Sequence, residues 1–107
     1  MRLEPDFAMW YSKRGRAYGE KEELDKAIAD LTEAIRLDPS DEDVFFYRGT
    51  VYVFNREYDL AIADLDEAIR LSPEMGDAYY ARFMAYGCSF LPLADLLLLL
   101  SSLSKET

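Results

Sequence analysis

The 107-residue chain is half apolar and nearly a third charged, the composition of one globular domain, with little spare sequence for a separate catalytic unit. Twelve Lys and Arg stand against 21 Asp and Glu, a net charge of −9, and no stretch gathers the basic residues into a patch. Nucleic acid and anionic membranes both demand a positive footprint, so neither is an expected partner. There is no His, no Gly-rich phosphate loop and no Cys/His spacing suited to a metal, so no catalytic residue, metal or cofactor is expected and the chain does not read as an enzyme.

The segment Met1-Arg2-Leu3-Glu4-Pro5-Asp6 has no apolar core resembling a secretion signal. A lone Cys88 in an aromatic and apolar stretch reads as a buried structural thiol in a reducing setting, so a cytoplasmic location is expected. In chain order, Tyr11, Gly15 and Tyr18 fall at helical steps, and Gly19-Glu20-Lys21 marks a break. Leu24, Ala27, Ile28, Leu31, Ala34 and Ile35 then give the dry side of a second helix. Its wet side is expected to carry Asp25, Lys26, Asp30, Glu33 and Arg36. Asp38-Pro39-Ser40-Asp41 ends it, and Asp41-Glu42-Asp43 precede the next helix, where carboxylates cap free amides and suit the positive end of the dipole.

From there the chain repeats itself at an offset of 34. Ala27-Ile28-Ala29-Asp30-Leu31 returns as Ala61-Ile62-Ala63-Asp64-Leu65, and Glu33-Ala34-Ile35-Arg36-Leu37 as Glu67-Ala68-Ile69-Arg70-Leu71. Arg14-Gly15 and Tyr18 recur as Arg48-Gly49 and Tyr52, and Pro39 recurs as Pro73. Each copy reads as helix, short turn, helix, longer turn.

Tyr11, Gly15, Tyr18, Ala27, Leu31, Ala34 and Pro39, with Phe45, Gly49, Tyr52, Ala61, Leu65, Ala68 and Pro73, resemble the signature of the tetratricopeptide repeat. The resemblance implies an all-α fold, a right-handed superhelical stack of antiparallel helix hairpins. The expected organisation is a single domain over 1–107, with repeats at about 8–41 and 42–75 and an atypical third repeat at about 76–107. Gly15 and Ala27 would let the two helices of a hairpin approach closely, with Tyr18 and Leu31 filling the crossing. Arg14 and Arg48 stand where the family usually has Leu. Each is expected to lay its stem on apolar surface and hold its head in water.

The third copy keeps the phase through Tyr79, Arg82 and Tyr86 but puts Phe83 where Gly15 and Gly49 stood and Asp95 where Ala27 and Ala61 stood. Overpacking and a buried carboxylate would each cost about 1–3 kcal/mol at so tight a contact. Leu93, Leu96, Leu97, Leu98, Leu99, Leu100 and Leu103 wrap around most of a helix, more apolar surface than one hairpin covers. Either Leu93, Leu96, Leu97, Leu100 and Leu103 form a self-association surface, or Ala94 takes the small-residue place in a slightly rotated ordinary hairpin. The five-leucine run from Leu96 to Leu100 is far short of the roughly 20 residues of a membrane span.

In the family, ligands lie on the concave face lined by the first helix of each hairpin. Here the resemblance implies Met9, Ser12, Arg16 and Glu20, then Asp43, Phe46, Thr50, Val53 and Phe54, then Asp77, Tyr80 and Met84. Arg16, Asp43, Phe46, Thr50, Val53, Phe54, Tyr80 and Met84 are the candidate peptide contacts. Aromatic and Met side chains there suit an apolar or amphipathic peptide. Some members grip the terminal carboxylates of chaperones with Lys, Asn and Arg, but this chain offers Ser12, Arg16, Tyr47, Asp77 and Ala81 in those places. Two readings remain open: a module that binds a protein or peptide on its concave face, or a structural unit, self-associating as a homo-oligomer or forming part of a larger repeat scaffold.

Overall fold

A computed structural model describes residues 4–90 of the chain, and the side chains of residues 7–87. Five helices follow one another: α1 (Glu4–Glu20), α2 (Leu24–Leu37), α3 (Glu42–Phe54), α4 (Tyr58–Leu71) and α5 (Gly76–Phe90). The pairs α1–α2 and α3–α4 are hairpins, and α2 packs on α3 and α4 on α5, so the described chain is an all-α solenoid. Leu93, Leu96, Leu97, Leu100 and Leu103, with Asp95, lie outside the described residues.

The hairpins close where the sequence removed bulk. A Cβ added to Gly15 would stand 2.8 Å from Cγ of Leu31, and one added to Gly49 would stand 2.9 Å from Cγ of Leu65. Each would also press on a backbone carbonyl of the facing helix, Ala27 or Ala61, at 3.3 Å. Leu31 and Leu65 are fully buried as a result, with Ala27, Ala34, Ala61 and Ala68 around them. Burial on this scale contributes roughly 1.5–3 kcal/mol per large side chain. Tyr11, Tyr18, Leu24, Ile28 and Tyr47 complete the core of the first hairpin and its junction with the second.

The turns inside the hairpins differ from the expected break. Gly19 stays helical, and α1 ends one residue later in a Schellman arrangement, the amide of Glu23 donating to the carbonyl of Tyr18 and that of Glu22 to Gly19. The same pair of bonds recurs from Glu57 to Tyr52 and from Arg56 to Val53. The left-handed residue is therefore Glu22 (φ 63°) in the first turn and Arg56 (φ 64°) in the second, where glycine is the usual choice. Gly19 is not the left-handed residue of the turn, and a Cβ there would meet Val51 of α3 at 3.5 Å, an ordinary van der Waals contact. Between hairpins, Asp41 caps α3 by accepting a hydrogen bond from the amide of Asp43 at 3.0 Å, as the acidic triplet led one to expect. Burial pushes the Asp41 carboxyl above its ordinary range, opposed by that bond and assisted by the charges of Asp43, Glu42 and Asp38.

One expectation from the sequence is overturned. Asp30 and Asp64 do not lie on the wet side of α2 and α4; they are buried, at 6% and 5% exposure. Nor do Arg14 and Arg48 hold their heads free in water. Arg14 donates through Nε and Nη2 to the two oxygens of Asp30, at 2.6 and 2.9 Å, and Arg48 grips Asp64 in the same fork at 2.7 and 2.8 Å. A guanidinium fork matches a carboxylate, so the residue that replaces the usual Leu brings its counter-charge with it across the hairpin. The third nitrogen reaches back to the preceding hairpin: Nη1 of Arg48 donates to Oγ1 of Thr32 at 3.0 Å, and Nη1 of Arg82 to Asp66 at 2.7 Å. Arg48 thus ties its own hairpin shut and joins it to the one before.

At the two ends of the described stack the pattern changes. Val44 and Ala78 are buried on the faces of α3 and α5 that receive the preceding helix. The same position on α1 is Trp10, half exposed, with the Arg14 guanidinium 4.4 Å from its ring centroid. On α5, Phe83 stands in place of the buried glycines and is 73% exposed.

Two expectations follow. Asp64→Ala leaves the largely buried Arg48 guanidinium without its carboxylate and is expected to cost about 3 kcal/mol in chemical denaturation, with Asp30→Ala costing less because Arg14 is more exposed. Adding Arg48→Leu to Asp64→Ala is expected to restore most of that loss, whereas an additive loss would show that the pair is not coupled. Arg56→Gly is expected to stabilise by about 1 kcal/mol, read as a raised Tm, because it removes the left-handed strain of a residue with a Cβ.

Candidate peptide-binding groove

Because α1 and α3 are first helices of consecutive hairpins, equivalent residues come side by side across the stack. The closeness of α2 to both fixes how far apart their exposed flanks stand. Between them the chain leaves a groove of about 650 Å³. Arg16, Gly19 and Glu20 of α1 and Glu22 of the turn form one wall, Phe46, Tyr47, Thr50, Val51 and Phe54 of α3 the other, and Leu24 and Leu31 of α2 contribute to the lining. Small Gly19 keeps the first wall low. Phe54 is 71% exposed at the mouth, and Val51 is buried.

The polar groups of the groove are few and mostly oriented. The Arg16 guanidinium lies over the Tyr47 ring, 4.4 Å from its centroid, and the Tyr47 and Phe46 rings are 5.8 Å apart. Thr50 donates its hydroxyl to the carbonyl of Phe46 at 2.8 Å, which leaves the oxygen as an acceptor toward the groove. Glu20 and Glu22 are exposed at the rim. The arrangement provides apolar surface for side chains, one hydroxyl acceptor, one guanidinium and two carboxylates. It has no paired acid and base positioned for chemistry.

Of the candidates read from the sequence, Arg16, Phe46, Thr50 and Phe54 meet here. Asp43 lies in the first turn of α3, and Val53 is half-buried on the same helix; neither lines this groove. Tyr80 and Met84 repeat the positions of Phe46 and Thr50 on α5 and are exposed, beyond its walls. Sequence reading missed Gly19, Glu22, Leu24, Leu31 and Val51 as walls and treated Tyr47 only as a missing clamp residue. The 34-residue offset held the signal, since residues one period apart on first helices flank the same groove.

Among the described residues no group of three or more His, Cys, Asp or Glu could hold a metal ion, and no helix is long and apolar enough to cross a membrane.

Two family models match the sequence: one described as TPR repeat over residues 15–54 and one described as Tetratricopeptide repeat over residues 46–82. No curated protein matches it. Among solved structures, the TPR domain of Arabidopsis OM64 is similar at a TM-score of 0.78 and 20% identity, covering 79% of this chain and 70% of that one. The first TPR of Spaghetti (RPAP3), bound to the HSP90 peptide SRMEEVD, is similar at 0.74 and 23%, covering 76% of this chain but only 64% of that domain. The TPR2B domain of yeast Sti1, in a complex with pHsp70, is similar at 0.72 and 24%, covering 82% of this chain and 68% of that one. At these identities the likeness speaks for the fold. The two family matches together run from residue 15 to 82, through the same stacked hairpins, and the chain belongs to the tetratricopeptide repeat family.

Proposed function

We propose that the chain is a protein-interaction module that takes a peptide segment in the groove between α1 and α3. The observation that carries this reading is the exposure of Phe54, with Phe46 and Tyr47 beside it, over a largely apolar groove of about 650 Å³, room for several peptide side chains. A large ring held in water on a rigid helix contributes nothing to folding there, and burying it against a ligand recovers its apolar area. Phe46, Thr50, Phe54 and Arg16 are the primary contacts. Tyr80 and Met84 would extend the surface along α5 for a longer ligand, and Asp43 and Val53 would flank it. Solved neighbours of the same fold, the Spaghetti and Sti1 domains, hold chaperone-derived partners, which supports a peptide or protein ligand as the class.

A second reading, self-association, has its own observation. Tyr79, Phe83 and Tyr86 occupy the face of α5 that corresponds to the Tyr11, Gly15 and Tyr18 face of α1, and all three are exposed. A ring at position 83 cannot be approached as closely as Gly15 is by Leu31, so a regular hairpin partner does not fit there. A symmetry mate contributing Leu93, Leu96, Leu97, Leu100 and Leu103 would cover that face.

For the groove, Phe54→Ala is expected to leave stability within about 0.5 kcal/mol of wild type, while Phe46→Ala with Phe54→Ala abolishes partner capture in a pull-down. Unchanged capture would rule the groove out as the binding site. For self-association, Leu97→Lys with Leu100→Lys is expected to convert an oligomer to a monomer with the helical signal of the first two hairpins retained. The same monomeric mass by light scattering for wild type and variant would rule out self-association at these leucines.

A further inference from the structure

The walls of the groove carry a charge bias that restricts its ligand. Of the titratable side chains lining it, Arg16 is the single cation and is already laid on the Tyr47 ring, while Glu20 and Glu22 stand exposed at the end of α1 and in the turn that follows. The interior between them is Leu24, Leu31, Phe46, Val51 and Phe54. Further along the first helices, Asp43 and Asp77 add exposed carboxylates in the opening turns of α3 and α5, and the chain as a whole carries −9. A ligand seated in the groove therefore meets an apolar floor and a negative rim.

We propose that the groove selects a peptide bearing an aromatic or large aliphatic side chain flanked by Lys or Arg, and discriminates against acidic tails. This inference rests on the groove reading above. A basic side chain entering beside Phe54 can lay its methylene stem along the exposed ring and bring its charge within a few ångströms of Glu20 or Glu22. An acidic ligand faces the reverse. The HSP90 peptide bound by the Spaghetti domain, SRMEEVD, ends in a run of acidic groups and a terminal carboxylate. Here those groups would find one guanidinium and at least two carboxylates, with the net field of the chain repelling them over roughly the 8–10 Å that salt leaves unscreened. Like-charge juxtaposition is the means by which an interface rejects a wrong partner that shares the fold's usual shape requirements.

The test is selection of a display library of random peptides, about twelve residues long, on the full chain, with recovered peptides then titrated by fluorescence anisotropy. The expected winners carry a Phe, Trp, Leu or Met with neighbouring Lys or Arg. They bind wild type about tenfold more tightly than Glu20→Gln with Glu22→Gln, bind more weakly at about 0.5 M salt, and outcompete synthetic SRMEEVD. If no peptide is enriched, or the winners bind Phe54→Ala as tightly as wild type, the groove reading itself fails. If the winners need Phe54 but carry acidic or no charged residues, bind the Gln variant equally, or lose to SRMEEVD, the groove stands and the charge inference is overturned. A circular dichroism spectrum unchanged in each variant assigns any loss to the ligand contact, and a variant that unfolds is replaced by Glu22→Gln alone, whose side chain is exposed.

Discussion

The whole arrangement depends on two contacts between a glycine and a leucine. Gly15 against Leu31 and Gly49 against Leu65 set the spacing inside each hairpin, tight enough that a single methyl group would have to displace the facing leucine. Spacing inside the hairpin fixes the spacing between hairpins, because α2 packs on both α1 and α3. The width of the groove follows from that. The Arg14–Asp30 and Arg48–Asp64 forks act at the same crossing and add direction to an otherwise apolar contact. Arg48 on Thr32 and Arg82 on Asp66 make the stacking of one hairpin on the next helix register-specific as well.

The repeat and its hairpins were legible in the sequence because they rest on residue volume and spacing: Gly15, Ala27, Leu31 and Ala34 recur with period 34, and their sizes already state which faces touch. The ion pairs were not legible. Asp30 lies among charged residues on α2, and a charge on an amphipathic helix reads as solvated unless its partner is known. That partner stands 16 residues earlier on the facing helix, a separation with no meaning until the hairpin is closed. Gly19 misled for a similar reason. Its position near a turn suggests a conformational role, whereas the turn's left-handed residue is Glu22 and Gly19 stays helical, facing Val51. The groove was half legible: Phe46, Thr50, Phe54 and Arg16 follow from the first-helix register. Leu24, Leu31 and Val51 belong to the core and line the groove only because its floor is the core's own surface.

In the sequence, the third copy departs from the rule at the position where the rule is strictest. Phe83 replaces the glycine of the closest contact, and Leu98 stands 16 residues after Arg82, where Asp30 and Asp64 stand after Arg14 and Arg48. Among the described residues Arg82 makes the backward contact, to Asp66, and lies over the Tyr79 ring. The third copy of the sequence therefore lacks the glycine and the acid that close the first two hairpins. Tyr79, Phe83 and Tyr86 of α5 are exposed, so the described residues carry two apolar surfaces of different character: the groove between α1 and α3, and this face of α5.

The central claim is that regular stacking makes the α1–α3 groove a ligand site. Its most direct test is a ¹H–¹⁵N correlation titration of the chain with a peptide recovered from it. Shift changes are expected to centre on Arg16 to Glu22 and on Phe46 to Phe54, with the amides of the outward faces of α2 and α4 unmoved. Changes confined to α5, or spread over α2 and α4 with the groove silent, would contradict it.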